Sequence, residues 1–540
     1  MTSDLETKPA ASRWPRQVKY IVGNEACERF SYYGMAGILA GYISGQLVAG
    51  GLGKSEDYAT TTIALFKSCN YFTPLLGAWL SDKIIGRYKT IFWVSLFYCA
   101  GHGMLACSDF FGAQGKLNCL FIGLTLIAFG SGGIKPCVSA FMGEQFTPEQ
   151  SHLMQKAYGA FYVAINFGSF FSFLVVPWVK DHHGYSLAFA VPGILMAIAT
   201  YIFWRGKKIY ILVPTNREKN HAGFFKVFFT ALFMRRAAGQ QFWDAARVRF
   251  SENEVAAARS VLPILFVFAT IPMFWALYDQ GNSTWVLQGW KMVNFQFEQL
   301  RFVKLLLPYW TFISSFSGYF ALLVLTFFIA PKIVSSTRQL ILVAGLMLLS
   351  GLFGWLVFFL PSCKIGAEEM QSLNPLLIMI FVPVFTSWLY PHFGRWAAPL
   401  RRMSVGLFLA ALSFVIVALI QQRIEAGAQL SILWQTWPWV VITAAEVLVS
   451  ATGLEFAFRE AAPEMKSMIM SFWLLTVAAG NLFVALLTEF LPHTARQTDN
   501  ASVSTSRFML YAAMMFGVAI VFSLIAATYH YRDQAAAEGK

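Results

Sequence analysis

Glu25-Ala26-Cys27-Glu28-Arg29-Phe30-Ser31-Tyr32-Tyr33-Gly34 is the stretch that decides the fold. It lies inside the first long apolar run of the chain, residues 18–48, yet places two carboxylates and a guanidinium there. At helical spacing Glu25, Glu28, Arg29 and Tyr32 share one face. An ionisable side chain at membrane depth costs about 2.5 to 3.5 kcal/mol on insertion scales. Such a face belongs against a polar cavity and not against lipid.

The rest of the chain agrees with a membrane setting. Its 540 residues are 57% hydrophobic and 13% charged, against roughly 45 to 50% and 25% in soluble domains. Apolar runs near the ~20 residues needed to cross a bilayer lie at 18–48, 59–81, 89–107, 117–141, 157–179, 186–204, 260–288, 308–331, 339–361, 374–391, 403–421, 434–457, 467–489 and 508–529. An all-α integral membrane protein with about fourteen spanning helices is expected.

Basic residues cluster before the first run (Lys8, Arg13, Arg16, Lys19), after the second (Lys83, Arg87, Lys89) and between Arg205 and Arg259. By the positive-inside rule both termini are expected in the cytoplasm of a cell (inner) membrane protein. The net charge of +13 is therefore topological, and a nucleic-acid partner, which needs a concentrated basic surface, is not expected. The seven cysteines form no CxxC and have no His neighbours, so neither a disulfide framework nor a metal site is expected. Residues 1–17 are polar and hold no cleavable signal pattern, so the first helix should act as its own insertion signal.

Six runs precede the basic segment, an arrangement that resembles transporters built from two six-helix halves. The boundaries expected are a first half over 1–205, a cytoplasmic connector over 206–258, and a second half over 259–290 and 370–540, with an inserted membrane hairpin over 291–369. Within the connector, Phe224, Phe225, Val227, Phe228, Phe229, Leu232 and Phe233 flanked by Lys226, Arg235 and Arg236 read as an amphipathic helix, either on the inner leaflet or beneath the bundle. A faint duplication links Pro74 and Gly86-Arg87 to Pro383 and Gly394-Arg395. The segment Gly77-Ala78-Trp79-Leu80-Ser81-Asp82-Lys83 to Gly86-Arg87 resembles the inner-loop motif of the major facilitator superfamily, whose charges can pair across helix ends.

The opening stretch resembles the ExxERFxYYG signature of the proton-dependent oligopeptide transporter family. Further segments agree in order: Gly130-Ser131-Gly132-Gly133-Ile134-Lys135-Pro136, Phe161 to Ser169 with Asn166, Pro272 to Gln280 with Asp279, Met370 to Pro375 with Asn374, Ala445-Glu446 to Ser450, Thr452 to Phe456 and Ala462 to Ser467. The resemblance covers residues 20 to 530 apart from the connector and residues 291 to 369. Cys137 and Glu144 stand where family members often have Asn and Asp, and Ala64 stands where animal members have a histidine. Coupling is therefore expected to rest on carboxylates.

The resemblance implies a major facilitator fold and a proton-coupled symporter importing di- and tripeptides, functional as a monomer, with no cofactor beyond the coupling proton and no enzymatic activity. A peptide is a zwitterion, so its site needs opposite charges at a fixed separation. Arg29 and Lys135 suit the carboxylate, and Glu446 suits the ammonium. Asn166 and Asn374 suit the amides; Tyr32, Tyr33 and Tyr71 supply hydroxyls and aromatic walls; Trp275 and Trp473 shape side-chain pockets. Proton coupling is expected on Glu25, Glu28 and Asp279, with Arg29 and Lys135 as the cations from which protonation releases them. Moving one charge through 100 mV is worth about 2.3 kcal/mol, enough for roughly a fifty-fold peptide gradient at about 1.4 kcal/mol per tenfold.

Plainer accounts compete. Structural ion pairs serve for the charges, interhelical hydrogen bonds for the asparagines and core filling for the tyrosines. Lys67 either joins the Tyr71 face or neutralises Glu28. His102 reads as a packing residue, and Glu455 as a solvated residue near a helix end. A same-fold carrier of nitrate or another small anion would use Arg29 and Lys135 but be repelled by Glu446. A peptide receptor that does not transport would bind without exchange. A membrane enzyme would need a nucleophile or acid/base pair beside a metal or phosphate site, and the sequence has no GxSxG, P-loop or HxxxD-like pair.

Overall fold

The computed structural model describes residues 14–147, 150–213, 224–234, 240–311, 313–315, 317–318, 364–392, 394, 398–462, 465–491, 501–529 and 531. The first half is built from α1 (Val18–Ser44), α2 (Glu56–Leu80), α3 (Arg87–Ala106), α4 (Ala113–Gly143) and α5 (Ser151–Arg205). Local chemistry sets several boundaries. Ser55 caps α2 by accepting from the Tyr58 N–H, and Glu56 and Asp57 complement the dipole of its first turn. The long α5 covers two of the expected runs and turns at Gly184, whose φ of 83° favours glycine.

After the connector helix α6 (Phe224–Phe233), the chain continues through α7 (Glu252–Arg259), α8 (Val261–Phe268), α9 (Ile271–Tyr278) and α10 (Thr284–Gly289). The expected run 260–288 is thus not one rod. It bends by 43° between residues 268 and 271 and opens into a 3₁₀ turn at Asp279–Asn282. The longer helices that follow are α11 (Leu373–Val384), α12 (Pro399–Glu425), α13 (Thr436–Glu446), α14 (Thr452–Glu460), α15 (Lys466–Phe490) and α16 (Thr505–Thr528).

Among the described residues, seven helices are long and apolar enough to cross a membrane, or eight with the bent pair. The first three fall below that measure: α1 carries Glu25, Glu28 and Arg29, and α2 carries Lys67 and Asn70. Each apolar run outside 308–331 and 339–361 meets a described helix. Those two runs, with Lys332 and Arg338 at their turn, lie largely outside the described residues.

In the first half α1 packs along α5, and α3 packs against both α4 and α5. The second half pairs α12 with α16 and α13. Across the halves, α2 lies on α15 and α5 on α11. Large apolar side chains such as Phe72, Trp79, Trp93 and Phe129 remain exposed, an outer surface suited to lipid.

The faint duplication has a structural counterpart. Downstream of Pro74 and of Pro383 the helix loosens into a π turn, Ser81–Ile85 and Phe385–Leu389. A left-handed glycine then follows, Gly86 at φ 82° and Gly394 at φ 50°. Arg395 lies outside the described residues. At the start of α3, Arg87 meets Asp82 at 3.3 Å and also pairs with Glu144 at the end of α4. Near the start of α12, Arg402 meets Glu455 of α14 at 2.8 Å and sits over the Tyr390 ring at 4.5 Å. Glu455 is therefore a paired residue and not merely a solvated helix end: a largely buried guanidinium needs a carboxylate.

The connector helix α6 buries Phe224, Val227 and Ala231, with Phe224 against Phe472 of α15. Phe225, Phe229 and Phe233 stay exposed. One side of this helix is packed on the bundle and the other is an open apolar face.

Candidate functional site

Two close approaches bring the charged helices together. A side chain at Gly168 of α5 would collide with the Ala26 carbonyl of α1, so glycine lets these helices meet beside Glu25. A methyl at Gly77 of α2 would lie 2.7 Å from Gly133 Cα of α4. That contact carries Lys135, two residues further along α4, up to the tyrosines of α1 and α2.

Arg29 lies 3.1 Å from Glu25 and also pairs with Glu28. All three are buried. Glu28 accepts a further hydrogen bond of 3.3 Å from Ser131 of α4. Lys135 does not join this carboxylate pair directly. Its Nζ lies 4.0 Å from the centroid of the Tyr71 ring and 4.7 Å from that of Tyr32, and among the described residues it has no hydrogen-bond partner. Cation–π contact of this kind is worth about 2 kcal/mol when desolvated, less than a paired carboxylate supplies. Tyr32 is fixed by the Asn70 amide donating to its hydroxyl at 3.1 Å, and Tyr33 meets it edge-on at 5.3 Å.

The second half contributes Glu446, at the end of α13. Its carboxylate accepts from Asn374 Nδ2 at 2.7 Å, while Tyr278 donates to Asn374 Oδ1 at 3.2 Å. Asn374 also donates to Thr443 at 3.2 Å. Tyr33 lies within electrostatic range of both Arg29 and Glu446. Trp275 and Trp473 come together, ring centroids 6.3 Å apart, on the second-half side. Asn166 is buried and donates to the Tyr162 carbonyl of its own helix at 3.0 Å.

Asp279 departs from the expected pairing with Arg29 or Lys135. Lys67 of α2 lies 2.7 Å from Asp279 Oδ1 and donates to the Asp279 carbonyl at 3.0 Å and to Asn282 Oδ1 at 2.7 Å. Lys67 does not neutralise Glu28. The cause is the break after α9: the 3₁₀ turn frees a backbone carbonyl and gathers three acceptors around one ammonium. Asn481 of α15 donates to Asp279 Oδ2 at 2.6 Å, and Asn282 donates to Gln371 at 2.5 Å. Gln371 in turn donates to the Gly37 carbonyl of α1 at 2.9 Å. Asn282, Gln371 and Asn481 are not among the residues expected from sequence, although Asn282 and Asn481 are polar side chains within the apolar runs 260–288 and 467–489.

This bridge belongs to a set. Lys67–Asp279 joins the two halves, and Lys180–Glu368, Lys364–Asp181 and Lys291–Glu56 join the first half to the ends of the 291–369 segment, on the face that carries Trp290. A methyl at Gly41 would collide with both Trp290 and the Glu368 carboxylate, so the halves are in tight contact there. On the opposite face, at Gly86, the Arg87–Glu144 and Arg402–Glu455 pairs each stay within one half. His102 is buried and stacks on Tyr98 with centroids 5.1 Å apart, in keeping with a packing role.

The POT family model (PTR2) matches residues 88–303 and 360–506. Solute carrier family 15 member 2 of Rattus norvegicus is 32% identical over 433 residues, 77% of this chain and 50% of that protein. Peptide transporter 3 of Caenorhabditis elegans is 30% identical over 431 residues, 76% of this chain and 51% of that protein. The chain thus spans about half the length of the curated relatives it matches. The in meso crystal structure of the POT family transporter PepTSo superposes with a TM-score of 0.76 at 34% identity, covering 96% of this chain and 99% of that one. An auto-inhibited POT family peptide transporter gives 0.75 at 32% identity, covering 96% and 98%.

Proposed function

The chain belongs to the POT family, and from that premise we propose that it is a proton-coupled symporter importing di- and tripeptides by alternating access. The observation that carries the reading is the buried ammonium of Lys135, which lies over the Tyr71 and Tyr32 rings and has no hydrogen-bond partner among the described residues, on the half opposite Glu446. The peptide carboxylate binds Arg29 and Lys135, and the peptide ammonium binds Glu446. Asn166 and Asn374 serve the amides, Tyr32, Tyr33 and Tyr71 line the wall, and Trp275 and Trp473 bound a side-chain pocket. A zwitterion supplies the anion that Lys135 lacks and the cation that Glu446 lacks, and it draws the halves together.

The face at Gly86 is cytoplasmic in this scheme, and the described conformer is closed outside. A proton arriving at Asp279 removes the charge that Lys67 holds, which loosens the bridge and lets the outer side open. Protonation of Glu25 or Glu28 releases Arg29, and the peptide carboxylate takes the vacated guanidinium. Carboxylate-bearing groups therefore compete with the substrate for one arginine.

Uptake of labelled dialanine into proteoliposomes tests this. An inward proton gradient should accelerate uptake, and counterflow should exchange unlabelled for labelled peptide. A rate indifferent to the gradient would defeat the coupling, and binding without counterflow would make the protein a receptor.

A further inference from the structure

A groove of about 670 Å³ runs along the side of the bundle between α2, α4 and the end of α15, away from the charged interior. Exposed Leu65, Phe121 and Phe129 form its flank. Its lining on α2 extends from Ser55 to Thr73, about 27 Å at 1.5 Å per residue. That is enough for the headgroup and one chain of a single leaflet, roughly 20 Å by bilayer dimensions. The end nearest Trp290 is polar, with Asp57, Tyr58 and Glu489.

An acyl chain entering this groove leaves other acyl chains behind, so the hydrophobic effect does not select for it. Selection falls to the polar end. Asp57 is fixed there by the backbone N–H of Ser502 at 2.6 Å, and Glu489 is exposed. The ammonium of Lys54 lies 5.7 Å from the centroid of the Tyr58 ring. Two carboxylates with a nearby lysine complement a headgroup that carries a primary ammonium beyond a phosphate, and they disfavour one that is only anionic.

We propose that this groove binds a phosphatidylethanolamine-type lipid, with its ammonium at Asp57 and Glu489, its phosphate toward Lys54 and an acyl chain along Phe121 and Phe129. The inference rests on the membrane placement of the helices, but it does not require transport.

The test is native mass spectrometry of the full chain released from nanodiscs containing equal phosphatidylethanolamine and phosphatidylglycerol. The wild type should retain one ethanolamine lipid with roughly tenfold preference over glycerol lipid, the fold-change that corresponds to about 1.4 kcal/mol. Glu489→Gln should reduce that preference severalfold, and Thr125→Trp, which fills the groove at mid-length, should remove the adduct. Equal retention of the two lipids by the wild type would overturn the proposal, as would an unchanged adduct in Thr125→Trp or a polypeptide co-purifying in place of lipid. Should the tryptophan variant fail to fold, Glu489→Gln decides alone, because its side chain is exposed. Dialanine uptake in the same preparations separates loss of lipid from loss of the transport reading.

Discussion

Two lysines whose ammonium groups are both shielded from solvent have opposite surroundings. Lys67 is saturated: Asp279 Oδ1, the Asp279 carbonyl and Asn282 all accept from it, and they belong to the other half. Lys135 rests on Tyr71 and Tyr32, within its own half. Desolvating an ammonium costs several kcal/mol after relaxation. At Lys67 protein groups offset that cost, so the residue holds a conformer. At Lys135 the offset is incomplete, and in the proposed function an anionic ligand completes it. On that proposal one lysine closes the molecule and the other receives what enters it.

The largest effect expected is at the receiving site. Glu446→Gln should bring dialanine uptake to background, a loss of about a hundredfold or more, since truncating one partner of a buried charge pair costs about 2 to 5 kcal/mol. Lys135→Gln should approach the same loss. Near-normal peptide affinity in either variant would break the contrast between the two lysines.

At the closing site, Lys67→Met leaves Asp279 buried and unpaired, which costs about 3 to 5 kcal/mol. Its unfolding temperature should fall and labelling of a cysteine introduced at the Trp290 face should rise. Adding Asp279→Asn should restore much of the stability without restoring gradient-driven uptake. A single variant as stable as the wild type would mean that the bridge does not hold the halves.

Glu25→Gln and Glu28→Gln sharpen the comparison from the side of the proton. Each leaves Arg29 with one fewer competitor, so gradient-driven uptake should drop roughly tenfold while counterflow changes less than about threefold, the difference of one coupling step at about 1.4 kcal/mol per tenfold. Equal losses in both assays would assign these carboxylates to folding or binding.

How much of this was legible depended on whether a feature was local. Helices α1 to α5 and α11 to α16 follow from runs of apolar residues, and Glu25, Glu28, Arg29 and Lys135 stand out because lipid tolerates no charge there. The pairing of Lys67 with Asp279 was not legible. It joins residues 212 positions apart and depends on the 3₁₀ turn at Asp279–Asn282, where the polar stretch Asp279 to Thr284 marks a break without indicating which distant side chain will meet it. The Arg402–Glu455 pair was hidden for a related reason: Gly394-Arg395 carried the sequence signal of the duplication, whereas the pairing arginine lies seven residues further on.

The smallest expected effects come from neutral groups that hold the two sites in place. Asn481→Ala removes the 2.6 Å hydrogen bond to Asp279, and Ser131→Ala removes the 3.3 Å bond to Glu28. Hydrogen bonds to charged groups contribute about 1.5 to 3 kcal/mol, and the shorter contact should lie near the top of that range. Asn481→Ala should therefore lower the unfolding temperature more than Ser131→Ala does. Its effect should also depend on Lys67: in a Lys67→Met background Asp279 has lost its main cation, so removing the last donor becomes costlier, and a double-mutant cycle should show coupling of about 0.5 to 3 kcal/mol. Ser131→Ala should be additive with Lys67→Met, because the serine serves the first-half cluster alone. Coupling of Ser131 to Lys67 as large as that of Asn481 would mean that the two buried lysines belong to one network, and the division between a closing site and a receiving site would fall.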